Sequence, residues 1–166
     1  MSKLYTIPKG GHSAEGLRTS LVVGNSMLRF KAKFYPNCIY KPQREPEQIS
    51  KLYGISYGLH HDCSARIGWR SDGTRIEVLS YVYTARDKRS SEHLAFIDVQ
   101  EWHEFKLERI GKTARISMDG GPVQTFQLLA PAKVGYRLFP YFGGTVPAPH
   151  EMWIGVEVLE LDGIGA

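Results

Sequence analysis

The chain has 166 residues, 42% of them hydrophobic and 23% charged, enough for one domain with a sizeable core and ordinary for a soluble globular protein. Its net charge of +4 is a mild bias towards an anionic partner, but no run of Lys and Arg marks a nucleic-acid surface. No stretch reaches the length of a membrane span, and the N-terminal MSKLYTIPKGGHSAEG lacks an apolar signal core, which fits a cytoplasmic chain or a secreted one whose signal has been removed.

Taken in order, residues 3–8 (KLYTIP) read as a short edge strand, ended by Pro8 and the Gly10-Gly11 pair. In SMLRFKAKFYP, Leu28, Phe30, Ala32 and Phe34 alternate with Arg29, Lys31, Lys33 and Tyr35, a period-two pattern with one apolar and one basic face. The basic face is either a solvated, edge-protecting surface or a surface for an anionic ligand. Residues 36–50 carry three prolines and several charges and predict a long loop, of the kind that often walls a site.

The block Lys51–Tyr83 predicts two or three successive strands. In SARIGWR, Ala65, Ile67 and Trp69 share one face and Ser64, Arg66, Gly68 and Arg70 the other. In RIEVLSYVY, Ile76, Val78 and Val82 oppose Glu77, Leu79, Tyr81 and Tyr83. One face is therefore a core. The other gathers arginines and tyrosines, with His60 and His61 in the preceding turn, chemistry that solubility alone does not require. TARDKRSSE then reads as a polar turn and HLAFIDV as a strand. Beyond it, turns are expected at Ile110-Gly111-Lys112 and Asp119-Gly120-Gly121, followed by strands in GYRLFPYFGG and EMWIGVEVLEL.

No segment has a helical period. About ten to twelve short strands with regular turns predict an all-β antiparallel sandwich or jelly roll spanning residues 1–166 as one domain. Cys38 and Cys63 are the only cysteines. Without CxxC spacing they make no metal framework, and they read as free, partly buried thiols with a disulfide left open.

The run EWHEFKLERIGKTARISMDGGPV resembles an element of concanavalin-like and laminin-G-like jelly rolls, in which a tryptophan, here Trp102, opens a strand and Asp119-Gly120 ends the next. The central block is more particular. Lys51-Leu52, Ser64-Ala65-Arg66-Ile67-Gly68-Trp69-Arg70, Gly73 and the aromatic strand around Tyr81 resemble polysaccharide lyase family fourteen, jelly-roll alginate and glucuronan lyases. GYRLFPYFGG is similar to that family's near-terminal strand, so the matches fall across residues 50–157. Carried over by position, the resemblance implies roles for Lys51, Ser64, Arg66 and Tyr81. The family's tyrosine pair, two residues apart, falls on Leu79 and Tyr81 in one registration. A second registration places it on Tyr81 and Tyr83, with a longer connecting turn. The family's histidine is matched loosely by His60 or His61.

The resemblance implies β-elimination on an anionic, uronate-containing polysaccharide or oligosaccharide, with no cofactor. Arg66 is the candidate to neutralise the sugar carboxylate, aided by Arg70 or Lys51, because a guanidinium stays charged and binds carboxylates in a fork. Tyr81, Tyr83, His60 and His61 are candidates for proton transfer. Ser64, Arg29, Lys31, Lys33 and Tyr141 are candidates for holding the glycan. The other reading of the same face is a non-catalytic, lectin-like module, in which Tyr35, Phe139, Tyr141 and Trp153 serve as stacking surfaces, with Trp153 alternatively in the core; a structural or interaction jelly roll without a glycan ligand is the third. Trp69 is expected in the core, and His103 and His150 as structural or solvated. The paired carboxylates of concanavalin-like glucanases are missing, since Glu45 and Glu47 sit in the proline-rich loop. No phosphate loop, nucleophile elbow, zinc spacing or acidic calcium cluster is present either.

Overall fold

A computed structural model describes residues 1–14, 21–42 and 48–162. Two six-stranded antiparallel sheets pack face to face as a β-sandwich, and the regular helical structure among the described residues is a single 3-10 turn at Pro36–Cys38. The first sheet contains β1 (Lys3–Ile7), β12 (Met152–Asp162), β3 (Ser26–Phe34), β8 (His103–Ile110), β9 (Thr113–Met118) and β10 (Gln124–Gln127), in that spatial order. The second contains β2 (Leu21–Val23), β11 (Val134–Leu138), β4 (Ser50–Ser56), β5 (Ser64–Ser71), β6 (Ile76–Ala85) and β7 (Lys88–Ile97). Both sheets join strands distant in sequence, such as β3 to β12 and β11 to β4, as a jelly roll requires.

The period-two patterns decide which faces meet. Along β3, Leu28, Phe30, Ala32 and Phe34 are fully buried while the intervening basic residues are not. Phe30 stacks on Phe105 of the neighbouring strand, and Phe34 meets Trp69 of the opposite sheet at 5.0 Å between ring centres. Trp69, Ile67, Ile76, Val78 and Val82 complete the same core, as their alternation predicts. Burying each such side chain contributes roughly 1.5–3 kcal/mol before the entropy of ordering it is subtracted.

The structure departs from the sequence expectation in three places. The polar segment after β6 is mostly strand: the turn shrinks to Arg86 and Asp87, and Asp87 takes the left-handed conformation at φ 54°. Aspartate tolerates that conformation, which closes a two-residue hairpin, while the polar residues beyond it face solvent on an edge strand. GYRLFPYFGG is not one continuous strand. β11 stops at Leu138, and Pro140, which has no N–H to give a ladder, precedes a Tyr141 that makes only isolated bridges to Ser13 and Lys51. β2 carried no sequence signal. Trp102 stands immediately before β8, as the resemblance implies, and is 41% exposed on the outer face of the first sheet. Glu45 and Glu47 lie outside the described residues.

Candidate active site

Side chains that point away from the core along β4, β5 and β6 floor a cleft of about 560 Å³ on the solvent face of the second sheet. Register places them. Ser64 stands across from Tyr83 and Arg66 across from Tyr81, and Gly54 of β4 flanks Arg66 on its other side. Tyr81 and Tyr83, the pair of the second registration, thus stand directly across from Arg66 and Ser64, while Leu79 stands across from Gly68. The turn between β5 and β6 is Asp72–Arg75, where the Asp72 carboxylate accepts from the backbone N–H groups of Thr74 and Arg75. A lysine enters from the far strand: Lys51 is bridged to Tyr141 by paired backbone hydrogen bonds, and its ammonium donates to the Gly143 carbonyl at 2.9 Å.

The cleft is cationic. Lys51, Arg66 and Arg89 line it, together with His60 and His61, and no Asp or Glu appears among its described lining residues. Arg66 is 8% exposed, with one arm of its fork donating to the Phe139 carbonyl at 3.0 Å. Burial pulls its pKa down to about 10, opposed by the surrounding tyrosines, so it remains charged at neutral pH. Burial also lowers the pKa of Lys51.

The two tyrosines are driven apart. Burial works to raise the pKa of Tyr81, but the charge of Lys51 and the hydrogen bond and charge of Arg89 outweigh it, and the net shift is downward. Arg89 Nη1 donates to the Tyr81 hydroxyl at 3.3 Å, and the Lys51 ammonium lies 5.0 Å from the Tyr81 ring centre. Tyr83, 5.9 Å away between ring centres, is pushed up to about 12 by burial and by Tyr81 itself.

His60 faces a different partner. Its Nδ1 is 2.7 Å from the Tyr136 hydroxyl, and burial, then His61, Arg66 and Lys51, lower its pKa and hold it neutral at pH 7. His61 packs on Tyr83 at 5.4 Å between ring centres. Ser64 donates to the His60 carbonyl at 2.8 Å and so fixes the histidine turn.

Lys51, His60, His61, Ser64, Arg66, Tyr81, Tyr83 and Tyr141 thus all line one cleft. Arg70 does not join them, being tied to Glu77 at 2.6 Å further along β5. Arg29, Lys31 and Lys33 are on the outer face of the other sheet, where Arg29 pairs with Glu104 at 3.1 Å and Glu160 at 3.5 Å. Trp153 is likewise on that face. His103 is held by Asp119 at 2.7 Å and His150 lies 2.6 Å from the Asn37 carbonyl. Cys38 and Cys63 are free and buried. Sequence reasoning missed Arg89, Tyr136 and Gln48. Arg89 was hidden by the reading of its segment as a turn; the alternation continuing past Asp87 was the available signal.

No family model and no curated protein sequence matches the chain. Solved structures do. An alginate lyase from Pseudomonas aeruginosa superposes with a TM-score of 0.68 at 10% identity, over 96% of this chain and 82% of that one. A functionally unknown protein from Saccharomyces cerevisiae gives 0.65 at 6% identity, over 99% and 89%. A family 7 alginate lyase in complex with product gives 0.65 at 7% identity, over 99% and 80%. At these identities the likeness is one of fold: the chain has the jelly-roll sandwich of the alginate lyases.

Proposed function

We propose that the cleft is the active site of a polysaccharide lyase that cleaves a uronate-containing glycan by β-elimination, as the resemblance to family fourteen implies. The observation that carries this reading is the Tyr81–Tyr83 pair, with opposed pKa shifts, on the floor of a cleft lined by cations and free of carboxylates among its described residues. That the solved neighbours include alginate lyases, one of them with product bound, supports it.

In this reading the sugar carboxylate sits over Arg66, with Lys51 beneath and Arg89 taking the helper role expected of Arg70. Their charge lowers the cost of the enolate-like state that forms when the C5 proton leaves. Tyr81, whose phenolate the neighbouring cations favour, is the base that takes that proton. The electron pair of the C5–H bond becomes the C4–C5 double bond, and the C4–O bond breaks. Tyr83, kept protonated by its raised pKa, gives its proton to the leaving glycosidic oxygen. His61 packs against Tyr83 and orients it. Tyr141 and Gln48 line the walls where neighbouring sugar units would lie, and Ser64, fully buried, holds the histidine turn beneath them.

A non-catalytic glycan-binding domain is the second reading, and the His60–Tyr136 contact favours it, because that histidine is directed away from the tyrosine pair. Incubation with alginate and glucuronan, followed by ultraviolet absorbance of the unsaturated uronate, separates the two. Rising absorbance supports the lyase. A polymer that binds without any rise supports the binding module.

A further inference from the structure

The outer face of the first sheet is tiled mostly by opposite charges: Arg29 with Glu104 and Glu160, and Lys106 with Glu108 at 2.9 Å. One part breaks that pattern. Trp102 and Trp153, 41% and 40% exposed, are joined through Lys33 and Tyr35 into a continuous strip. The Lys33 ammonium lies 5.1 Å from the Trp102 ring centre and 4.9 Å from that of Tyr35, and Tyr35 meets Trp153 edge-on at 6.1 Å. Among the described residues no carboxylate pairs with Lys33.

The strip is held in place before any partner arrives. Gly155 pairs with Lys33 in the ladder, and a Cβ on that glycine would stand 3.1 Å from the Trp102 ring; the missing side chain leaves the indole room to lie down on the sheet. Trp153 is fixed at three points. Its indole N–H donates to Glu151 at 2.7 Å, its backbone N–H to the Asn37 side chain at 3.0 Å, and its carbonyl accepts from the Tyr35 N–H at 3.1 Å. Immobilised aromatic rings on a solvent face mark recognition, since ordering them afterwards would cost affinity.

We propose that this strip is a second glycan-binding surface, on the sheet opposite the cleft, for a carboxylated polysaccharide. The apolar C–H faces of pyranose rings pack on indole rings, and Lys33 supplies the cation for a uronate carboxylate. Two indoles and a phenol set within a charged surface are too small a patch for a stable dimer, which buries about 800 Å² per partner. The acidic character of the glycan rests on the reading of the cleft proposed above; the stacking strip does not.

Native electrophoresis of the full chain through gels cast with alginate, glucuronan or neutral hydroxyethyl cellulose tests the proposal. Arg66→Ala serves as the parent, so that cleavage does not erode the matrix. Trp102→Ala/Trp153→Ala should weaken retention in the uronate gels about tenfold or more. Gly155→Ser, which displaces one ring but keeps both tryptophans, should give a smaller loss, and thermal melting verifies folding of each variant. Retention of the double variant equal to its parent's would overturn the proposal. So would a change confined to self-association by sedimentation, and equal retention of the parent in neutral and uronate gels would overturn the assignment to acidic glycans. If the wild type yields no unsaturated product while the double variant still loses retention, the lyase reading fails and the second surface stands.

Discussion

Arg66 of β5 and Tyr81 of β6 face each other as a registered cross-strand pair, both turned away from the core and both almost covered. Adjacent strands bring opposed side chains within about 5 Å, so the ladder itself fixes the distance between the cation and the phenol. With Lys51 on the neighbouring strand and Arg89 beyond, the phenol is surrounded by positive charge on a rigid floor.

The tyrosine pair should therefore be sensitive to loss of a single oxygen. Tyr81→Phe and Tyr83→Phe are each expected to lower kcat on a uronate polymer by about 10²–10⁴-fold, the usual worth of a positioned acid or base. Stability should fall by only about 1 kcal/mol, the net worth of a hydrogen bond. Ultraviolet progress curves and thermal melts measure the two effects. Full activity in either variant removes that residue from the chemistry.

The pH profile tests the electrostatics. Lys51 and Arg89 lower the pKa of Tyr81, so the phenolate required of a base forms at lower pH than in free tyrosine. Taking away Arg89 with Arg89→Gln raises that pKa, and the rising limb of kcat/KM against pH should move to the alkaline side. A limb that stays in place would mean that Tyr81 is not the titrating base.

Gly54 predicts an effect through position rather than contact. A Cβ there would lie 2.3 Å from the Ala65 carbonyl and 2.6 Å from Arg66 Cγ, so Gly54→Ala must displace the strand or the arginine. Denaturant melts should show a loss of about 1–3 kcal/mol, the range for overpacking, together with reduced turnover. An unchanged midpoint would show that β4 and β5 are looser than the ladder implies.

The two thiols should be silent in the folded protein. Burial pushes the pKa of Cys38 up to about 12 and that of Cys63 up to about 11, and the reactive species is the thiolate. A disulfide-exchange reagent at neutral pH is expected to label neither residue until denaturant is added, and then both. Rapid labelling of the native chain would contradict their burial.

The strands and faces were readable because period two is a direct consequence of pleating. Phe30 and Trp69 could be placed inward, and Arg66 and Tyr81 outward, from spacing alone. What alternation leaves open is which of two sheets a strand joins. Arg29, Lys31 and Lys33 repeat as cleanly as the cleft residues, yet β3 pairs with β12 and β8 and turns them to the far side. Local composition misled in two other places. Charges around Asp87 read as a polar turn where an edge strand runs, hiding Arg89, and the spacing that turns Arg70 outward does not show that Glu77 stands across the ladder and holds it. Which strand positions stand opposite Arg66 depends on the length of the β5–β6 turn, which the ladder reveals and composition does not.

The central claim is that Tyr81, in a cationic cleft, abstracts a proton from a bound uronate. Wild type and Tyr81→Phe, incubated side by side with alginate and with glucuronan and analysed by mass spectrometry, test it most directly. The account predicts wild-type fragments whose new non-reducing ends lack the elements of water that hydrolysis would have added, and almost none from the variant. Fragments carrying that water, equal yields from both proteins, or an intact polymer in the wild-type reaction would contradict it.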